Sequence, residues 1–201
     1  MQEKFLAFRS AHNFPDKEKR VLLTVSGGID SVVMAHLYHK AGYSCVVAHC
    51  NFQLRGGASD QDEQFVEKLA AHYQFHFHSM KFDIANFAKD NSVSIQEAAR
   101  KLRYEWFSEI CETSGCEAIA TAHHANDVAE TLIFNLVRGA GFAGMHGIPV
   151  KNGKIIRPIL FAEKMKLNNM PKLISCNGAK MLLILTMIIQ GIKSGIISFP
   201  C

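Results

Sequence analysis

The residues best suited to chemistry in this 201-residue chain sit in a few short strings. The densest is Ser26-Gly27-Gly28-Ile29-Asp30-Ser31, which follows the apolar run Val21 to Val25 and precedes a helical pattern. Two glycines let a backbone approach a ligand and take positive φ. The helix start behind them offers unpaired N–H groups and a partial positive charge. Ser26 and Ser31 add hydroxyl donors. Together they suit an anion such as phosphate or pyrophosphate. The Walker loop needs Gly-x-x-x-x-Gly-Lys-Ser/Thr, and the chain has none. Gly139-Ala140-Gly141-Phe142-Ala143-Gly144 matches Gly-x-Gly-x-x-Gly, but it follows a helix rather than a strand and so lacks the dinucleotide context.

Three further strings carry charge or hydrogen-bonding groups. In His49-Cys50-Asn51-Phe52-Gln53-Leu54-Arg55-Gly56, His49, Asn51 and Arg55 leave a strand end together. Arg100, Arg103 and Phe107 share a helix face by three- and four-residue spacing. The two arginines form either a solvated basic face or forked donors for phosphate. In His123-His124-Ala125-Asn126-Asp127-Val128-Ala129-Glu130-Thr131, Asp127, Glu130 and Thr131 stack at the start of a helix. Arg138 lies eleven residues past Asp127 on the same face, followed by Gly139. Either acid by itself could merely complement the helix dipole. Two acids, a Thr and the preceding His123 point to Mg²⁺ coordination or a polar pocket. No Cys-x-x-Cys occurs, which argues against a zinc site.

These strings need elements to position them. Val21–Val25, Cys45–His49 and Ala118–Ala122 read as short buried strands. Phe75–Ser79 alternates and reads as another strand, and Ile155-Ile156 as a late one. Helices are expected over Asp30–Gly42, from a capping box at Ser59 to about His72, from a second box at Ser94 to about Thr113, and over Asn126–Arg138. The β-α-β-α-β order implies an α/β fold, a parallel twisted sheet with helices on both faces. Ligands in such sheets sit at the carboxyl ends of strands, here just after Val25, His49 and Ala122.

Composition agrees with a globular chain: 48% hydrophobic and 20% charged, which excludes extended disorder. Met181 to Ile189 is the longest apolar run, far short of the roughly 20 residues that span a bilayer. No signal-peptide pattern opens the chain. Six scattered cysteines suggest a reduced, cytoplasmic location. A net charge of +4 permits an anionic partner without demanding one.

The glycine string resembles the PP-loop of the ATP pyrophosphatases, an adenine nucleotide α-hydrolase-like, Rossmann-like family. The ordered set is similar to the tRNA(Ile)-lysidine synthase family. That set is Val21 to Ser31, His49-Cys50-Asn51 to Arg55, Ser59 to Glu63, Ala99 to Tyr104, His123 to Thr131, Leu136 to Gly139, and Arg157-Pro158-Ile159-Leu160. It covers residues 1–164, with Phe52 where the family often has His and Val128 where it often has Gln. The resemblance implies a ligase that adenylates C2 of the wobble cytidine of tRNA(Ile) with a CAU anticodon. Pyrophosphate leaves first, and the amine of L-lysine then displaces AMP. ATP as substrate, Mg²⁺ as cofactor and a homodimer are further implications. Ser26, Gly27, Gly28, Ile29, Asp30, Ser31, His49, Asn51, Arg55, His123, Thr131, Arg138 and Gly139 would bind ATP. Asp30, Arg100, Arg103, Asp127 and Glu130 would be catalytic, with Asp30, Asp127 and Glu130 as candidates for the metal. Other PP-loop enzymes that modify tRNA or form amides, and a non-catalytic nucleotide-binding module, are the alternatives. The chain lacks the paired cysteines usual in the sulfur-transferring members and a glutaminase domain.

The composition changes after Lys164. All 18 acidic residues precede Met165, and residues 165–201 carry four of the eight Met. This argues for a catalytic domain over 1–164 and an atypical stretch over 165–201, translated out of frame. In the adjacent frame the codons of Met165-Lys166 force Glu, and those of Met187-Ile188 force Asp. A weakened grip on tRNA and poor packing of this stretch would follow. The nucleotide sequence decides it: stops in the adjacent frame after the Lys164 codon would exclude a frameshift.

Overall fold

A computed structural model describes residues 1–53, 57–139, 147–164 and 167. The elements are α1 (Gln2–Ala11), β1 (Arg20–Thr24), α2 (Ile29–Lys40), β2 (Cys45–Asn51), α3 (Gly57–Tyr73) and β3 (His76–Lys81). They continue with α4 (Ile84–Asp90), α5 (Ile95–Thr113), β4 (Cys116–Ala120), α6 (Ala125–Val137), β5 (Lys151–Asn152) and β6 (Ile155–Ile156).

The strands form one sheet in the order β3-β2-β1-β4-β6-β5. Every neighbouring pair is parallel except β5 with β6. Val21 pairs with Cys45 on one side and with Ala118 on the other, so β1 is central. The strand order reverses between β1 and β4, and that reversal opens a crevice at the carboxyl edge.

Helices cover both faces. Val21 and Leu23 join a core with Phe5 of α1, Val33 and Leu37 of α2, and Val66 and Leu69 of α3. Leu22 points the other way, into a cluster with Trp106, Phe107 and Cys111 of α5. A strand buried on both faces must be apolar at every position, which is why Val21-Leu22-Leu23 is continuous rather than alternating. β3 is an edge strand, largely exposed, and pairs with β2.

The expected elements stand with small shifts. β1 starts at Arg20, β2 runs on to Asn51, and β4 starts and ends two residues early. Ser59 lies inside α3 and does not cap it, since the helix already runs from Gly57. The box at Ser94 is real: Ser94 Oγ accepts from the Glu97 amide at 3.2 Å, and Glu97 Oε2 accepts from the Ser94 amide at 3.0 Å. Helices α1 and α4 were not anticipated. The reading of residues 165–201 lies outside the described residues, apart from Leu167. That side chain is fully buried in the main core. Among the described residues, no helix is long and apolar enough to cross a membrane.

Candidate functional site

The turn from β1 to α2 is built from its own hydroxyls. Ser31 Oγ donates to the Gly28 carbonyl at 2.8 Å and accepts from the Ser26 amide at 3.2 Å. The Gly28 amide donates to Ser26 Oγ at 3.3 Å. Gly27 has φ +89°, which a residue with a Cβ rarely adopts. An ideal Cβ on Gly27 would meet Asp62 of α3 at 3.5 Å, so that acid flanks the loop. Gly28 is the N-cap of α2 and Ile29 its first residue; no side chain caps this end. The Ser26 and Gly28 amides are thus engaged within the loop, and the uncapped amides at the start of α2 are the donors suited to phosphate.

Asp30 sits in the first turn of α2 and Asp127 in the first turn of α6. Both turn to His124, the N-cap residue of α6. His124 Nε2 lies 3.6 Å from Asp30 Oδ2, and Nδ1 lies 3.3 Å from Asp127 Oδ2. The His124 backbone N–H also donates to Asp127 Oδ2 at 2.7 Å. The residue is 3% exposed. Its pKa is raised above the usual 6.5, chiefly by the Asp30 carboxylate; burial opposes, and Asp127 adds to the rise. Lone histidine rings buried this deeply are normally pushed toward neutrality, so the two acids decide the sign here.

His123 behaves oppositely. Burial lowers its pKa, and nearby Arg157 lowers it further. Its Nδ1 is 2.9 Å from Thr121 Oγ1. His49 is buried with Nδ1 2.8 Å from the Val25 carbonyl, and burial lowers its pKa too. Arg100 stacks over Tyr104 and Arg103 over Phe52, both at 5.0 Å, whereas Phe107 of the same expected face is core. Arginine on an aromatic face keeps its planar donors free for a ligand.

Other candidates are committed elsewhere. Asn51 is almost fully buried; its Nδ2 donates to Asp60 at 3.0 Å and Glu63 at 2.7 Å, and its Oδ1 accepts from the Gln53 amide. Thr131 Oγ1 donates to the Asp127 carbonyl one turn back. Glu130 is exposed on α6. Arg138 caps the far end of α6 over Phe134, roughly 16 Å of helix from Asp127, and is not brought to the site. Gly139 follows it at φ +73°. Arg55 lies outside the described residues.

Two residues lay within strings of the sequence reading without being singled out for the site. His124 was passed over for His123, although the residue just before a helix is its N-cap and faces the first turn. Arg157 follows β6 at the same carboxyl edge, and the rule applied to the earlier strand ends would have found it.

Asp30 Oδ1 is buried and has no hydrogen-bond partner among the described residues. Hard oxygen donors fit Mg²⁺, which commonly takes one or two carboxylates along with substrate phosphates and water. No cluster of three or more His, Cys, Asp or Glu among the described residues stands ready to hold a metal unaided.

A glycine loop at a helix start, at the switch point of a parallel sheet, defines a Rossmann-like α/β protein. The family model described as the PP-loop domain matches residues 1–177, and the chain belongs to that family. It is 42% identical over 160 residues to a tRNA(Ile)-lysidine synthase of Bacteroides thetaiotaomicron, covering 80% of this chain and 38% of that protein. It is 46% identical over 165 residues to one from Chlorobaculum tepidum, covering 79% and 49%. It is 45% identical over 152 residues to one from Porphyromonas gingivalis, covering 75% and 34%. The chain thus spans a third to a half of the length of these relatives. The fold is similar to NMN synthetase from Francisella tularensis (TM-score 0.56, 18% identity, 86% of this chain and 68% of that one). It is also similar to NH3-dependent NAD synthetase from Campylobacter jejuni (TM-score 0.55, 14% identity, 100% and 96%).

Proposed function

We propose that this chain is the ATP-binding part of a tRNA(Ile)-lysidine synthase. The observation that carries the reading is the 42–46% identity to proteins of that name. The donor-rich glycine loop and the Asp30–His124–Asp127 bridge at one sheet edge support it.

In the proposed reaction, the C2 oxygen of the wobble cytidine attacks the α-phosphorus of ATP. The α–β phosphoanhydride bond breaks and pyrophosphate leaves. The amine of L-lysine then attacks C2, the C2–O bond to AMP breaks, and the amine gives up a proton. The difficult charge lies on the departing pyrophosphate. The uncapped N–H groups at the start of α2, with the Ser26 hydroxyl, would hold the terminal phosphates. Arg103 would bring its forked donors to the charge that develops there. His124 would keep Asp30 and Asp127 at fixed positions beside the loop. Mg²⁺, held by Asp30 and Asp127, would supply neutralisation of polyphosphate charge. Glu130, one turn on, is assigned to the incoming amine, which must be neutral to attack. The remaining nucleotide contacts, from His49 and His123, would come from neighbouring strand ends.

Release of pyrophosphate from ATP, measured with unmodified tRNA(Ile) and L-lysine, tests this. Release dependent on both ATP and tRNA, with lysine entering the tRNA, supports the ligase. ATP binding without release favours a nucleotide-binding module, a reading kept open because the chain spans only 34–49% of these relatives.

A further inference from the structure

The carboxyl edge holds a second cationic spot, away from the glycine loop. Ile156 of β6 pairs with Ala120 of β4, and the Thr121 amide donates to the Ile156 carbonyl at 3.0 Å. Arg157 therefore leaves the sheet beside Thr121, whose hydroxyl is bonded to His123. Arg157 is 6% exposed. Its backbone N–H donates to the Val150 carbonyl at 3.0 Å, and Nη1 donates to the Pro149 carbonyl at 2.6 Å. Its Nε is buried and has no hydrogen-bond partner among the described residues. Among the described residues, no Asp or Glu forms an ion pair with Arg157, Arg100 or Arg103.

A purely structural role, pinning residues 149 and 150, explains Nη1 and the backbone. It does not explain the rest. A buried guanidinium without a counter-charge is strongly unfavourable, and an unmade bond at a buried donor adds to that. Its company makes matters worse. After burial, Arg100 lowers the Arg157 pKa; Arg157 and then Arg100 lower that of His123, which the Asp127 carboxylate raises. Tyr104, which opposes the shift on Arg157, is uncharged at neutral pH. Two arginines near an unfilled donor, with no acid ion-paired to either among the described residues, imply a missing anion.

We infer that Arg157 forms the floor of a second oxyanion pocket, with Arg100 at its mouth and His123 on its wall, and that this pocket takes a phosphate group. Forked guanidinium donors match that ligand. β6 lies two strands from β1, about 10 Å between strand axes. The pocket is therefore separate from the glycine loop. The phosphate comes either from a nucleotide or from an RNA backbone. The inference needs the fold and not the lysidine reading: phosphate bound here by a chain that makes no lysidine would refute only the latter.

The Nε–H of Arg157 reports directly on the pocket. Its ¹⁵N NMR signal, assigned by its loss in Arg157→Lys, is followed in the 201-residue chain. Sodium phosphate, ATP and an anticodon stem-loop RNA are titrated separately against sodium chloride at matched ionic strength. A saturable displacement with phosphate is expected, reached at lower concentration with the true source; ATP or RNA is named by which arm saturates first. No displacement in any arm, or the same displacement with chloride, overturns the proposal. If Arg157→Lys does not fold, triple-resonance correlation assigns the signal instead. The exposed Arg100→Gln should then raise the phosphate midpoint at least threefold, and an unchanged midpoint removes Arg100 from the pocket.

Discussion

At the scale of single residues, Gly27 and His124 carry separable expectations. The φ of Gly27, +89°, is left-handed territory, where a Cβ costs roughly 1–2 kcal/mol. Space is not the obstacle, because the nearest atom to an added Cβ is an ordinary 3.5 Å away. Gly27→Ala should lose about that much stability on denaturant unfolding and weaken ATP binding in titration; an unchanged midpoint would show that the loop relaxes freely. His124 adds a pH signature. Its pKa is raised when folded, so its contribution is full below the unfolded value near 6.5 and is lost as pH rises through the folded value. The stability gap between the native chain and His124→Gln should therefore be widest in mild acid and narrow in alkali. A gap that does not vary with pH would mean that the ring is neutral. At this scale the sequence revealed residue types and their neighbourhood, not their commitments. Asn51 and Thr131 have the right chemistry for a ligand, but acids of α3 and a helix carbonyl engage them. Those partners come from tertiary packing or from one turn back, where spacing cannot separate a free hydroxyl from a bonded one.

At the scale of elements, the strongest local signals proved the most legible. Continuous apolar runs marked β1, β2 and β4 because both faces of the sheet are covered. The Ser94 box marked α5 because it satisfies orphan donors within four residues. Ser94→Ala should cost about 1 kcal/mol in thermal or chemical unfolding. Helix α4 was not legible because it has seven residues and buries only Ile84 and Ala88, too little for a period to show. The α2–α3 interface carries the opposite pH response to His124. His36 is buried, with Nδ1 3.0 Å from the Tyr73 hydroxyl of α3. Its pKa is lowered to about 4 by burial, then by Lys40 and His39 on its own helix and His72 on α3. Its share of stability is present above 6.5 and lost as pH falls toward 4, on the order of 3 kcal/mol in all. His36→Gln, which keeps a partner for Tyr73, should flatten the acid limb of the stability profile. An acid limb as steep as before would place the sensitivity elsewhere.

Across the whole molecule, the charge is less uniform than a net +4 suggests. Residues 1–164 hold 18 basic and 18 acidic side chains, and the other four Lys fall after Met165. Phosphate affinity in the described part therefore depends on where arginines stand, not on an overall field. Arg100, Arg103 and Arg157 are the cations near the carboxyl edge that lack an acidic partner among the described residues. Each phosphate neutralised releases counterions, and log K falls against log salt with a slope of about −0.7 to −0.9 per contact. If all three met RNA phosphates, the slope for an anticodon stem-loop RNA binding this chain would be about −2 to −3. Replacing Arg100 should make the slope shallower by about one contact while leaving the fold intact, because that side chain is exposed. Filter binding between 50 and 300 mM salt, roughly the range over which such slopes are read, measures both values. A slope steeper than about −5 would require an extended basic surface, and the balance of 18 against 18 would then be a poor guide to how this protein meets RNA.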